Sequence, residues 1–284
     1  MIIEKISFVF VNYFSSELII SNLLRIERMK LISPHVEFNS IIVNNSLEKF
    51  DFHETDIFHN VNILYPNSNL GYAKGNNLGI KQAESDSSSH IVICNPDIIL
   101  HDSFVNELKK DLTVYSKLNN YHLSAAFAVR IKGLTPYYNK PSFLGVILPA
   151  ITRYKDFKVE SYMDYKSIYR FHGACFVIPV SNVKGFSDYF YPDTFLYIEE
   201  DLFAFKAESS KLKIFNLPSV EVVHIGGAST NKSIPWKKYT YYFSGLNLLF
   251  NKRYNLPRFL CFPLSFTSVF FRFVLEQRSR FSWK

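Results

Sequence analysis

Residues 90–97 read His-Ile-Val-Ile-Cys-Asn-Pro-Asp, an apolar run that ends in a polar turn. A short apolar run bounded by turn-forming residues predicts a strand that is buried on both faces. The strand is predicted to end at Cys94, because Asn, Pro and Asp favour turns and proline has no N–H to donate. Strands of this kind occur in parallel sheets that helices cover from both sides, so this stretch predicts the class of the fold.

The segments around this strand repeat the pattern. Further strands are predicted at residues 6–11, 40–43, 61–65, 173–178 and 220–223. Helices are predicted at residues 16–30, 72–83 and about 103–115, the last with Ser103 as its cap. Alternating strands and helices predict an α/β fold, with a mostly parallel sheet flanked by helices. Residues 134–170 have no periodic pattern and receive no assignment.

The composition is that of a folded protein from a reducing compartment. Of the 284 residues 48% are apolar and 20% are charged, which excludes a disordered chain. Three cysteines without regular spacing argue against a disulfide scaffold. Residues 1–6 lack the basic start of a signal peptide, so the sequence predicts a cytoplasmic protein.

The C-terminal segment carries most of the net charge. Residues 252–284 hold seven Lys or Arg and one Glu, which is +6 of the total of +7. A basic end of this kind is expected to attract phosphate on nucleic acid, on anionic lipid or on a substrate. A solvated basic surface is the simpler interpretation. Binding to nucleic acid is disfavoured, because the basic residues lie in an apolar tail rather than along a polar helix.

The same tail is rich in aromatic residues. Residues 256–275 are very apolar, but Pro257, Arg258, Pro263 and Arg272 interrupt them. The uninterrupted part, residues 259–271, is shorter than the roughly 20 residues that a membrane-spanning helix needs. Aromatic residues flanked by arginines suit a segment that lies on an anionic membrane surface. The alternative is a terminal helix that packs on the protein's own core.

Polar residues follow several of the predicted strands. They include Asn12, Asn44, Asn69 and the Asn95–Asp97 turn. Ligands of parallel α/β sheets bind beyond the carboxyl ends of the strands, so these residues indicate a site. A carboxylate such as Asp97, held after a rigid proline, is suited to bind Mg²⁺ or Mn²⁺. A turn residue or helix cap is the alternative for Asp97.

Residues 69–79 read Asn-Leu-Gly-Tyr-Ala-Lys-Gly-Asn-Asn-Leu-Gly, a glycine-rich start to a predicted helix. Gly71 permits a tight strand-to-helix turn. Gly75 and Gly79 each cost about 1 kcal/mol inside a helix, which suggests close approach of another backbone or of a ligand. Lys74 is placed to meet a phosphate near the helix start. The spacing matches neither a dinucleotide-binding loop nor a P-loop, and packing alone is the alternative explanation.

Two later motifs carry titratable groups. Residues 195–202 read Phe-Leu-Tyr-Ile-Glu-Glu-Asp-Leu, with Glu199, Glu200 and Asp201 in succession. Like charges this close predict that at least one carboxyl has a raised pKa, which suits a general base. A helix start, which favours acids through its dipole, is the alternative. His224, in His-Ile-Gly-Gly, is suited to bind a metal or a phosphate, although an ordinary loop histidine is the default.

Taken in order, residues 69–79, 95–97, 195–201 and 224–227 resemble the motifs of family 2 glycosyltransferases with the GT-A fold. The resemblance is strongest to rhamnosyltransferase-like enzymes that assemble bacterial surface polysaccharides, and it covers about residues 5–250. It implies a nucleotide-sugar-binding half at residues 1–130, an acceptor half at 131–250 and a basic, aromatic, helical extension at 251–284.

The resemblance also implies roles for individual residues. Donor-binding roles fall on Asn12, Asn44, Asn69, Gly71, Lys74, Asn76, Asn95 and Asp97. Asp97 and His224 would hold Mn²⁺ or Mg²⁺ at the donor diphosphate, with Asn95 replacing the first acid of the family's metal motif. Asn44 replaces another family acid, which leaves the donor base open. Glu200 aligns with the catalytic carboxylate, and Asp201 takes that role if the alignment shifts by one.

The implied reaction is sugar transfer with inversion at the anomeric carbon. The expected donor is a dTDP- or UDP-sugar, and the expected acceptor is a glycan, lipid-linked at the inner face of the cell membrane, in the synthesis of O-antigen or capsule. The protein is then expected to associate peripherally with that membrane. The alternative is a nucleotide-sugar-binding protein without catalysis, which the replacements at Asn44 and Asn95 suggest.

Overall fold

The computed structural model describes residues 3–46, 48–50, 58–118, 125–134, 140–148, 167–183, 188–226 and 235–281. Most of the unassigned stretch 134–170 and Gly227 of the histidine motif lie outside these ranges. The strands are β1 Lys5–Asn12, β2 Glu37–Asn44, β3 Val61–Leu64, β4 His90–Cys94, β5 Ile98–Ile99, β6 Ala125–Ile131, β7 Ser167–Ile168, β8 Cys175–Pro179 and β9 Lys213–His224. The helices are α1 Ser16–Ile32, α2 Gly71–Ser85, α3 Phe104–Leu118, α4 Phe143–Ile147, α5 Glu199–Ser209, α6 Pro235–Tyr254 and α7 Arg258–Phe281.

The strands form one sheet in the order β3-β2-β1-β4-β8-β6-β9-β5, with β7 paired to β9. The first four strands are parallel, as the alternating pattern predicts. The sheet then becomes mixed, because β8 lies antiparallel between β4 and β6. The two predicted halves of the main domain, residues 1–130 and 131–250, therefore both contribute strands to one sheet. This arrangement confirms the predicted α/β class.

Helices cover both faces of the sheet, and β1 shows how its sequence divides between them. Phe8 and Phe10 pack on one side with apolar residues of α1 and α3. Val9, between them, packs on the other side with Ala73 and Ile80 of α2. Each fully buried side chain of this size contributes about 1.5–3 kcal/mol, so a strand that is apolar on both faces is stable only between two layers of helices.

A third core joins α5 to the C-terminal helices. Leu202 of α5 packs with Leu246 and Phe250 of α6 and with Cys261 of α7. Residue 250, the end of the predicted main domain, therefore lies within α6. All three cysteines are buried and free, as the irregular spacing predicts.

Helix α7 is longer than its prolines suggest. It runs through Pro263 for 24 residues, rather than stopping at the interruptions seen in the sequence. Proline inside a helix removes one hydrogen bond and crowds the carbonyl four residues earlier, at a cost of about 3 kcal/mol, so the packing of α7 on the third core must offset this cost. Among the described helices, α7 is the one that is long and apolar enough to cross a membrane, by length and composition alone. The segment Arg258–Gln277 has a mean hydropathy of 1.5, with 17% of it buried.

Candidate active site

The contact between β4 and β8 places two distant segments at one edge of the sheet. Asn95, directly after β4, donates from its N–H to the carbonyl of Ala174 at 2.8 Å. Gly173, which precedes Ala174 in the chain, donates from its N–H to Oε1 of Glu200 at 3.2 Å. A Cβ on Gly173 would lie 2.5 Å from that oxygen, so a larger residue there would displace the Glu200 carboxylate. The Asp97 turn and Glu200 are thus connected across one strand junction.

Asp97 and His224 meet at the same edge. Oδ1 of Asp97 lies 3.3 Å from Nε2 of His224. Pairing of Ile98 with His224, between β5 and β9, sets this approach, and the N–H of Ile225 donates to the carbonyl of Asp97 at 3.0 Å. The Asp97 side chain is buried, whereas the His224 side chain is 26% exposed.

The two side chains fit a divalent cation. A carboxylate oxygen and an imidazole nitrogen are both ligands that Mn²⁺ accepts. Within the described part of the chain, no group of three His, Cys, Asp or Glu side chains is placed to hold a metal ion. These two residues would therefore supply part of a coordination shell, and the remaining ligands would come from substrate oxygens and water, as is usual for cations at phosphates.

The three consecutive acids occupy the first turn of α5. Glu199 is buried, and that burial raises the pKa of its carboxyl well above the usual range, with the charge of Glu200 as a second cause. The prediction that one of the three has a raised pKa is confirmed, and the helix-start interpretation is correct as well. Asp201 lies 3.5 Å from Nε of Arg170, so it takes part in an ion pair.

A strained turn precedes these acids. Tyr197 and Ile198 both have left-handed backbone angles, with φ of 72° and 70°. Each such residue costs about 1–3 kcal/mol and persists only where its surroundings enforce it. The N–H of Tyr72 holds the turn by donating to the carbonyl of Phe195 at 2.7 Å. Gly245 of α6 packs directly against it, with no room for a side chain.

The glycines of residues 69–79 serve packing, which is the simpler of the two explanations given above. Gly71 has φ of 71° and abuts Phe195, so a side chain there would overlap the turn before the acids. Gly79 abuts Val9 of β1, and a Cβ on Gly75 would meet Val11 at 3.0 Å. Gly79 and Gly75 thus allow close approach of α2 to the sheet, and Gly71 allows close approach of the turn before the acids.

Asn12 and Asn44 are buried and bind each other. Nδ2 of Asn12 donates to Oδ1 of Asn44 at 2.8 Å, and Oδ1 of Asn12 accepts from the N–H of Ser15 at 3.0 Å. Nδ2 of Asn44 donates to the carbonyl of Glu48 at 2.8 Å. These amides thus close the ends of β1 and β2.

Of the other predicted donor-binding residues, two bind the nearby backbone and one is exposed. Oδ1 of Asn69 accepts from the N–H of Gly71 at 2.9 Å, and Nδ2 of Asn76 donates to the carbonyl of Tyr72 at 3.0 Å. Both side chains therefore support the local backbone. Lys74 is exposed on the first turn of α2. The donor-binding roles of these residues stay predictions.

Several residues that hold the site received no role from the sequence. Tyr72 donates from its hydroxyl to the carbonyl of Gly173 at 2.5 Å. Nδ2 of Asn45 donates to the carbonyl of Gly71 at 3.2 Å, and Oδ1 of Asn45 accepts from the N–H of Leu70. Asn22 of α1 contacts the Asp97 turn. The one available sequence signal is Asn22 itself, a polar residue on the apolar face of a predicted helix.

Replacement of Glu199 by Gln should stabilise the protein at neutral pH. Because its pKa is raised on folding, Glu199 keeps its proton over a pH range in which the unfolded chain has lost it, so its contribution to stability falls as pH rises above about 4.5. The titratable groups that interact with it are Glu200 and the two tyrosines Tyr72 and Tyr197, and both tyrosines are neutral in this pH range.

The expected gain for Glu199→Gln is roughly 2–4 °C in Tm at pH 7.5, which corresponds to about 1 kcal/mol, and it should shrink towards pH 4.5. Thermal unfolding across this pH range measures it. A gain of equal size at both ends of the range would show that Glu199 is ionised in the fold.

Comparison with known proteins supports the predicted α/β fold. No protein-family model matches the chain. One curated relative is the low-salt glycan biosynthesis hexosyltransferase Agl10 of Haloferax volcanii. The chain is 24% identical to it over 223 residues, which is 78% of this chain and 67% of the relative.

Solved structures match most of the chain. TarS 1-349 of S. aureus in complex with UDP-GlcNAc has a TM-score of 0.54 and 16% identity, over 90% of this chain and 69% of that one. The mannosyltransferase PcManGT of Pyrobaculum calidifontis, in complex with GDP-Man and Mn²⁺, has a TM-score of 0.54 and 12% identity, over 93% and 73%. The fold is of the GT-A type.

The GT-A fold confirms the fold that the four motifs imply. The match covers 41% of the length of the longer TarS structure. The activity of a longer protein of this kind belongs to that whole protein and does not carry over directly to this chain. The described C-terminal helices α6 and α7 agree with the predicted helical extension.

Proposed function

We propose that this protein is an inverting, metal-dependent glycosyltransferase that uses a nucleotide-sugar donor. The observation that carries the proposal is the strand junction, where Asn95 binds Ala174 and the neighbouring Gly173 binds Glu200. It brings a carboxylate–histidine pair suited to a cation and a second carboxylate to one edge of a GT-A sheet. Names of the relatives add support, since they include a hexosyltransferase and a mannosyltransferase.

In the proposed reaction, Glu200 accepts the proton of an acceptor hydroxyl as that oxygen attacks the anomeric carbon of the donor sugar. The bond to the diphosphate breaks in the same step, which inverts the configuration. The N–H of Gly173 orients Glu200 for this transfer. A divalent cation held by Asp97 and His224 would neutralise the charge that develops on the leaving diphosphate.

The proposal also specifies the class of the donor and of the acceptor. A dTDP- or UDP-sugar fits the sequence resemblance, and S. aureus TarS 1-349 is a structural neighbour solved with UDP-GlcNAc. We assign the acceptor to a lipid-linked glycan of O-antigen or capsule type, with rhamnose as the candidate sugar. Support for the lipid comes from the surface of α7.

Helix α7 turns its small residues inward and its phenylalanines outward. Ser265 donates to Oδ1 of Asn247 at 3.1 Å, Ser268 donates to the carbonyl of Val146 at 2.8 Å, and Cys261 is buried. The opposite face presents large apolar side chains that are more than half exposed, at Phe259, Phe262, Phe266 and Phe270.

This distribution favours a helix that lies on a membrane, because one face is bound to the protein and the other is apolar. The ion pair of Lys238 with Glu276, at 2.7 Å, holds the far end of α7 to α6. A spanning helix would have to give up these contacts. The protein is therefore proposed to lie at the inner face of the cell membrane.

Replacement of Phe262, Phe266 and Phe270 by Ser should weaken binding to anionic vesicles by about 10-fold or more, because each phenylalanine loses burial worth about 1.5–3 kcal/mol. Co-sedimentation with phosphatidylglycerol vesicles measures it. Point variants are preferable to removal of α7, which would uncover the core around Phe250.

The matched control replaces Leu31, Ile32 and Leu118 by Ser, since these residues are similarly exposed on average but lie on other helices. This control should bind vesicles like the wild type. Equal binding by the phenylalanine variant and the wild type would reject the membrane role of α7.

The proposed activity is tested by a thermal-shift screen of dTDP-, UDP- and GDP-sugars, each with and without Mn²⁺. A ligand that binds only the folded state raises the Tm, so the true donor should raise it more with Mn²⁺ than without. Release of free nucleotide from that donor then separates a transferase from an inactive binding protein. A protein whose Tm responds to none of these sugars would overturn the proposal.

A further inference from the structure

Asn22 is a buried polar residue in an apolar setting. It lies in α1 between Ile19 and Leu23, which belong to the core on the α1 side of the sheet. Its side chain is 2% exposed. An amide buried to this extent must find its hydrogen-bond partners within the protein, so the groups that it binds are defined by the fold.

The partners of Asn22 all belong to the turn that carries Asp97. Its Nδ2 donates to the carbonyl of Pro96 at 3.2 Å and to the carbonyl of Ile98 at 2.7 Å. Its Oδ1 accepts from the N–H of Leu100 at 3.3 Å. One side chain thus binds the backbone on both sides of Asp97.

The opposite side of the same turn is held by β9. The carbonyl of Asp97 accepts from the N–H of Ile225, and the carboxylate of Asp97 lies 3.3 Å from His224. Asp97 is therefore clamped between α1, through Asn22, and β9. With one clamp removed, the turn would keep its general course but lose the fixed direction of the Asp97 carboxylate.

We propose that Asn22 is a positioning residue that directs the Asp97 carboxylate towards the cation of the donor diphosphate. The inference rests on the proposed function, because it takes Asp97 as the metal-binding residue. It adds a residue of α1 to the site. In this proposal Asn22 touches neither the donor nor the cation, yet the affinity for the cation depends on it. Residues that orient metal ligands in this way typically change metal affinity by 10–100-fold when replaced.

The test compares Asn22→Leu with Asn77→Leu. Leucine has the same branching at Cγ as asparagine, is larger, and forms none of its hydrogen bonds. Asn77 is an apt control because it is buried and also binds backbone groups three times, at the N–H groups of Tyr189 and Phe190 and the carbonyl of Phe190. Both variants should lower the Tm in the absence of ligand.

The readout is the Tm of each full-length protein over a series of MnCl₂ concentrations, at a fixed concentration of UDP, with GDP and dTDP in parallel. For Asn22→Leu, the Mn²⁺ concentration that gives half of the full increase in Tm should rise by about 10-fold or more. For Asn77→Leu it should match the wild type. If Asn22→Leu does not fold, Asn22→Ser, whose hydroxyl can replace one of the hydrogen bonds, should show a smaller rise.

The possible outcomes are distinct. An unchanged Mn²⁺ requirement in the Asn22 variants, together with a normal response of the wild type, overturns the positioning role and leaves the proposed function intact. An equal rise in the Asn77 variant also overturns it, since the change would then follow from lower stability. A wild type that shows no Mn²⁺ response with any nucleotide rejects the metal role of Asp97, and this inference with it.

Discussion

Glu200→Gln should bind the donor as the wild type does and transfer sugar at least about 100-fold more slowly. A general base contributes roughly 10²–10⁴-fold to such a reaction, and glutamine retains the shape but cannot accept the proton. The N–H of Gly173 can still donate to the amide oxygen, so the site should keep its geometry. Donor turnover at saturating donor and Mn²⁺ measures the loss, and the thermal shift by the donor measures binding.

The control for this prediction is Glu208→Gln, on the last turn of the same helix, where the carboxylate is exposed and pairs with Lys140. Its turnover should equal that of the wild type. Near-normal turnover in Glu200→Gln would contradict the role of Glu200. Asp201→Asn is then the next variant, because Asp201 follows Glu200 on α5 and lies 3.5 Å from Arg170.

Asp97→Ala should abolish the part of donor binding that depends on Mn²⁺. Asp97 supplies the carboxylate of the two-residue cation site, and alanine leaves only the imidazole of His224. In the wild type, Mn²⁺ should increase the rise in Tm that the donor produces. In the variant, the rise should be the same with and without Mn²⁺.

Asp102→Ala is the matched control, since Asp102 is an exposed carboxylate five positions further along the chain, at 3.7 Å from Arg28. It should respond to Mn²⁺ like the wild type. An Asp97→Ala protein that binds donor with undiminished Mn²⁺ dependence would refute the metal role. The cation would then have to be sought away from the β5–β9 contact.

Local patterns in the sequence were enough to predict the first half of the fold. Strands β1 to β4 and helices α1 to α3 have apolar residues at strand or helix spacing, and short connections leave few topologies for them. The position of β8 is different. It pairs with β4, about 80 residues earlier, and an antiparallel contact over that distance leaves no local signal.

The site shows the same division. Asp97, Glu200 and His224 stand out in the sequence because they belong to motifs that occur together in a recognisable order. The roles of Asn22 and Tyr72 do not, because these residues act on the backbone of segments far away in the chain. The bond of Asn44 with Asn12 leaves no local signal either, because only the pairing of β1 with β2 reveals it.

The insertion of β8 beside β4 also bears on how the chain folds. A nascent chain that ends before residue 175 has β1 to β4 available, yet one edge of β4 exposes unpaired backbone groups, which is a hazard for intermolecular association. Docking of β8 closes this edge and delivers Gly173 to the Asn95 turn in the same event. Catalytic competence should therefore arise late, together with protection from aggregation, and slow closure of this long-range pairing should limit the rate of folding.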